Sequence, residues 1–188
     1  MQTAGVILAF LALSSLRLSA SGATGADAAQ SPRGAWHIDL AGSVFAEAWD
    51  LNESTESLSG AIVGVDRHIW RAIAVRGEAL LVRVAQRGDD AWLRGVTGGT
   101  RIRWTRARVR PVIDVAVGVS NSTMRVPLRG TRFNYLAVIG SGIETQLRSV
   151  VLTVTGRWLH ASNNGREGRG RNPDIQALGV VIGVGWSH

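Results

Sequence analysis

The sequence contains no cysteine and no lysine. The first absence excludes a disulfide framework and thiolate metal sites, so an exported chain of this composition must hold its fold without covalent staples. The second makes all 21 basic residues arginine, and against 14 acidic residues they leave a formal net charge of +7. The planar guanidinium pairs with phosphate through two parallel hydrogen bonds, which points to nucleic acid or to the phosphates of a lipid headgroup. A GC-rich coding bias accounts for the same composition equally well. No basic run interleaved with aromatics occurs, which disfavours nucleic acid. A long hydrophobic run is also missing. The apolar stretch from Val6 to Leu13 is too short to cross a bilayer as a helix, and nothing later is longer, so any membrane span must be made of strands.

What the N-terminus does have is the look of an export signal. The short apolar core is followed by small residues and an A-x-A-like site at Ala26-Asp27-Ala28. The expected division is a signal peptide over 1–28 and one β domain over 29–188.

From Trp36 onward the dominant period is two. In "WHIDLAGSVFAEAW" Trp36, Ile38, Leu40, Val44 and Ala46 share one parity, and His37, Asp39, Ser43 and Glu47 the other. The split recurs with Ile113, Val115, Val117 and Val119 against Asp114 and Ser120, and with Ile102 and Trp104 against Arg101 and Arg103. Near Leu80–Leu81 the alternation slips, which suggests a bulge. The expected strands are 36–48, 57–68, 70–86, 92–105, 111–121, 131–146, 149–162 and 175–186. They are even in number, and several are long enough for a tilted bilayer crossing.

A soluble sandwich and a membrane barrel both alternate; they differ in which stripe faces out. Here the polar stripe is rich in Gly, Ser and Thr with single charges of both signs, which suits the tight lumen of an eight-stranded barrel better than a solvated face. Seven tryptophans lie toward strand ends, as in the aromatic girdles of a membrane–water interface. The expected fold is therefore all-β: an eight-stranded antiparallel transmembrane barrel of the bacterial outer membrane, apolar outside and polar within. The last strand, "ALGVVIGVGW", resembles the C-terminal targeting signal of such barrels.

Along the seventh strand Val150, Leu152, Val154, Trp158, His160 and Ser162 fall on the apolar stripe. On a barrel both polar side chains then leave the outer wall. An ionisable residue facing lipid is costly and invites a functional reason. Residues two apart on a strand stand about 6.7 Å apart and point the same way. His160 could therefore take the Ser162 proton and later protonate a leaving alkoxide, and Asn163 could offer an amide N–H to the oxyanion. Read bare, H-x-S-N is unspecific, and two ordinary polar residues where a strand runs into a loop are its commoner meaning.

The H-x-S-N stretch, the glycine-containing loop, "RNPDIQ" and the final amphipathic strand resemble the lipid A 3-O-deacylase family of outer-membrane barrels, also called acyloxyacyl hydrolases. "VPLRGTRFNYLAVIGSGIE" resembles that family's sixth strand. The resemblance implies an esterase that removes the 3-O-linked acyl chain of lipid A without metal or cofactor, with His160 as base, Ser162 as nucleophile and Asn163 at the oxyanion. The family carries its third member, a carboxylate, shortly after the Asn-Pro pair. Here Gln176 takes that position and Asp174 lies two residues earlier, so the orienting group is Asp174, or Gln176 in its place, or the triad is weakened; Glu167 is a remote third choice. Arg166, Arg169 and Arg171 of the intervening loop could pair with lipid A phosphates, or be a solvated loop.

The implied partner is lipopolysaccharide of the outer leaflet, met within the membrane. A homodimer stays open. Two readings from other classes stand beside the esterase: a non-catalytic barrel with a structural or adhesion role, and a soluble lipocalin-like binder with its apolar stripes inside.

Overall fold

The computed structural model describes residues 34–49, 56–104, 107–168 and 172–187. The expected signal segment and two of the three loop arginines, Arg169 and Arg171, lie outside these residues. Eight antiparallel strands close into one barrel in simple sequence order: β1 (Trp36–Glu47), β2 (Ser57–Trp70), β3 (Ile73–Ala85), β4 (Ala91–Arg103), β5 (Val109–Val126), β6 (Thr131–Leu147), β7 (Val150–Ser162) and β8 (Ile175–Ser187). β8 pairs back onto β1 from His37↔Ser187 to Glu47↔Ala177, so no sheet edge is left open.

The alternation works as the sequence suggests. Leu40, Val44, Val96, Val117, Ile139 and Ile182 stand exposed on the outer wall, while Asp39, Asp114, Glu144 and Arg157 are buried inside. An apolar exterior around a charged interior is the reverse of a lipocalin-like binder and removes that reading. The rim where β1 begins is here the lower rim. Trp36, Trp70, Trp104 and Trp186 are exposed around it, and Trp49 and Trp92 are exposed around the upper one. Guanidinium groups cap two lower tryptophans: Arg67 lies 5.4 Å over Trp36 and Arg71 5.5 Å over Trp70.

The lumen has two layers, and this corrects the expectation of a uniformly polar interior. In the lower half Arg76, Arg101, Arg103, Arg110 and Arg157 interleave with Asp39, Asp66, Glu78, Asp114 and Glu144, five charges of each sign. Arg101 holds Asp114 through two hydrogen bonds of 2.7 and 2.8 Å and Glu144 at 3.0 Å; Arg157 links Glu78 to Asp114. In the upper half the lumen is filled by Phe45, Leu58, Val82, Val84, Leu93, Leu136 and Leu159 with their apolar neighbours.

That layer also explains the slip at Leu80–Leu81. Both residues are apolar because Leu80 packs inside and Leu81 meets the exterior. The β2–β3 register runs unbroken past them, and the irregularity lies at His68/Trp70 instead, beside a turn through Arg71 and Ala72 that ends β2 later and starts β3 later than expected. β5 likewise extends past residue 121 to Val126 through a register shift.

Candidate active site

His160 and Ser162 close the upper end of β7. Their neighbours in register are Ala137 and Tyr135 on β6, and Gln176 stands opposite His160 on β8. The inward stripe of β7 is Arg157, Leu159 and Ala161, all buried, so the alternate residues Trp158, His160 and Ser162 share the outward stripe. The indole of Trp158 stacks on the imidazole, with centroids 5.7 Å apart and planes 16° from parallel.

The β8 side supplies the orienting groups. Asp174 lies just before the strand begins, and its Oδ2 is 3.7 Å from His160 Nδ1. That nitrogen is buried and makes no hydrogen bond. Gln176 does not bond to the imidazole. Its Nε2 donates to Asp174 Oδ2 at 2.6 Å, and its Oε1 accepts from Trp158 Nε1 at 3.1 Å. Of the two candidates for third member, Asp174 is the one aimed at the histidine, and Gln176 ties that carboxylate to the ring stacked beneath it.

Ser162 is only 8% exposed. Its hydroxyl donates to Asn172 Oδ1 at 2.9 Å rather than to His160, and it accepts from the Asn164 N–H at 3.1 Å. Asn172 Oδ1 also accepts from the Asn163 N–H at 3.1 Å, and Asn163 Oδ1 accepts from the Gly165 N–H at 2.8 Å. These are the local side-chain-to-backbone turns that Ser and Asn favour, and they bind the start of the loop to its end. Asn164 and Gly165 both sit at positive φ, 54° and 73°, which lets the chain leave β7 abruptly. The sequence marks Asn172-Pro173 only as a landmark. Its contact with Ser162 depends on how the loop closes, which no local pattern reveals.

Arg166 lies 5.6 Å over the Phe133 ring and donates to the Tyr135 hydroxyl at 3.4 Å, so it leans over β6. Glu167 lines a cavity near the β5–β6 turn. One tight group of potential metal ligands exists among the described residues: His37, Asp39 and Asp66, with ligand atoms within 4.8 Å of one another. It lies in the lower lumen, far down the wall from Ser162. Arg76 and Arg103 already grip its carboxylates, which fills with guanidinium the role a cation would take.

No family model matches this sequence, and no curated protein does. Solved structures do. The outer-membrane enzyme PagL superposes with a TM-score of 0.59 at 15% identity, over 77% of this chain and 97% of that one. Neisserial surface protein A (NspA) gives 0.60 at 10% identity, over 81% and 98%, and the outer-membrane protein AlkL 0.52 at 14%, over 89% and 96%. The chain has the fold of eight-stranded outer-membrane barrels. At these identities the likeness concerns the fold, which an enzyme shares with a protein described only by its surface location.

Proposed function

We propose that this barrel is an outer-membrane esterase that hydrolyses the 3-O-linked acyl chain of lipid A. The observation that carries the reading is that His160 and Ser162 share the outward stripe of β7 at the upper rim, where bland polar residues are least expected, with Asp174 Oδ2 3.7 Å from His160 Nδ1. The lower rim is joined by links of at most five residues, such as 71–72 and 148–149, and the upper one by links of up to twelve, such as 163–174. Outer-membrane barrels turn their short links to the periplasm. The upper rim then meets the outer leaflet, where lipid A resides.

In this mechanism the substrate arrives laterally. His160 removes the Ser162 proton as Oγ attacks the ester carbonyl. Asp174 must close in from 3.7 Å to hold the imidazole through Nδ1, and the Asn163 N–H, which at rest donates to Asn172 Oδ1, must turn from it to receive the oxyanion. The sugar alkoxide leaves with the proton from His160, and water then releases the fatty acid from Ser162 by the same steps in reverse order. The resting hydrogen bond from Ser162 to Asn172 must first pass to His160, a side-chain rotation of the kind that catalytic contacts complete only with substrate bound.

Purified protein in detergent should release a 3-hydroxy fatty acid from lipopolysaccharide, and Ser162→Ala should abolish release while the barrel stays folded. Full activity in Ser162→Ala would sink the mechanism. The second reading, a non-catalytic barrel of structural or adhesion role, is favoured by one observation: Ser162 bonds to Asn172 and not to His160. On that reading the serine only anchors the loop, and lipid A should emerge from incubation with unchanged mass.

A further inference from the structure

Above β3–β6, near the upper rim, lies an open cavity of about 630 Å³, within the size range of small-molecule sites. Gln86, Asp89, Arg125, Leu128, Arg132 and Phe133 are among the residues that line it. Three connections contribute to it: the β3–β4 link through Gln86 and Asp89, the β5–β6 turn through Leu128 and the β7–β8 loop through Glu167. Gln86 Nε2 donates both to the Asp89 carbonyl at 3.1 Å and to the Arg125 carbonyl at 3.0 Å, joining the β3–β4 link to the top of β5. The Trp92 N–H donates to Thr123 Oγ1 at 3.0 Å in the same seam.

The cavity adjoins the candidate active site. Phe133 meets Tyr135 edge to face at 5.2 Å, and Tyr135 stands in register with Ser162. One strand across and two residues along, Phe133 lies about 8 Å from Ser162 by strand geometry, roughly the span of one sugar ring and its substituent. The chemistry of the lining is mixed in a specific way. Arg125 and Arg132 supply guanidinium forks, Asp89 and Gln86 supply hydrogen-bonding groups, and Leu128 and Phe133 supply an apolar wall. Beside it Arg94 is exposed on the outward stripe of β4, in register with the cavity's Asn121, and Arg166 leans over Phe133. With these four arginines against Asp89 and Glu167 the region is net cationic.

We infer that this cavity is the subsite for the phosphorylated sugar headgroup of the lipid, with Arg125 and Arg132 binding its phosphate, and that it holds the ester-bearing ring against Ser162. The assignment rests on the esterase reading above for its purpose, but binding itself does not require catalysis. Guanidinium pairs with phosphate bidentately, carboxylate and amide groups take sugar hydroxyls, and the aromatic edge covers the ring's apolar face.

The test compares bisphosphorylated lipid A with the same lipid A after removal of its phosphates. Binding to detergent-solubilised protein is read by titration, and fatty-acid release by mass spectrometry. Wild type should bind the phosphorylated form at least about tenfold more tightly, as expected for one or two charge-assisted contacts. Arg125→Gln/Arg132→Gln should lose that preference, while Arg67→Gln/Arg71→Gln on the lower rim keeps it. Gel mobility with and without heating checks that each barrel is folded. Equal affinity of wild type for both lipids, a preserved preference in the Arg125/Arg132 variant, or equal loss in the Arg67/Arg71 variant would each overturn the subsite. Failure of the esterase reading looks different: the binding preference and its loss persist, and no fatty acid is released from either lipid.

Discussion

At the scale of single residues, the open question in the sequence is which side chain orients His160. Gln176 stands opposite the histidine across β7 and β8, yet it spends its amide on Asp174 and its carbonyl on Trp158. A glutamine cannot balance an imidazolium charge, whereas the carboxylate it holds can. Asp174→Asn should therefore lower kcat about 10²-fold or more with little change in KM, as for a group that acts only once charge develops. Gln176→Ala should cost less, about tenfold, because it loosens the acid without removing it. Steady-state kinetics on lipid A separates the two, and a larger loss in Gln176→Ala would reverse their roles. The outward direction of His160 and Ser162 is legible from parity alone. The partners of Ser162 are not, since Asn172 reaches it across a loop whose path depends on the left-handed residues Asn164 and Gly165.

At the scale of the strands, all eight are legible, because a period of two survives wherever lumen and exterior differ in polarity. It fails at Leu80–Leu81, where the lumen itself becomes apolar and both parities look alike. Close strand coiling is the other feature hidden from pattern. A Cβ built on Gly118 would collide with the Val96 carbonyl and Thr97 of the neighbouring strand, whereas one on Gly98 meets nothing within 4 Å. Gly118→Ala should thus destabilise the barrel by about 1–3 kcal/mol, the usual cost of forcing atoms into a filled space, and Gly98→Ala should leave it unchanged. Unfolding in detergent micelles measures both; equal stability of the two variants would count against the coiling argument.

For the whole molecule, the lower lumen is a closed lattice of ion pairs. Arg101 is 1% exposed and Glu144 fully buried, so neither has water to fall back on. Removing one partner leaves the others buried and uncompensated. Arg101→Ala should cost about 3–5 kcal/mol by chemical denaturation, far more than Arg83→Ala, whose ion pair with Asp90 is exposed to solvent. The same lattice, capped above by Phe45, Leu58 and Leu136, fills the bore. Planar-bilayer recordings should show no steady conductance, and an ohmic channel would contradict the packing. That the fold was readable while the chemistry was only half readable follows from this division. The barrel is written in alternation along every strand, and the site in a few contacts between strand ends and one loop.

The stacking of Trp158 on His160 gives the site an optical handle. A protonated imidazole quenches the emission of an indole in contact with it, and a neutral one does so far less. Six other tryptophans emit at the rims, yet only Trp158 is stacked on a histidine among the described residues. The difference in fluorescence between this protein and a His160→Phe variant, followed across pH, would thus report the protonation of the proposed base directly, with no substrate present and no turnover required.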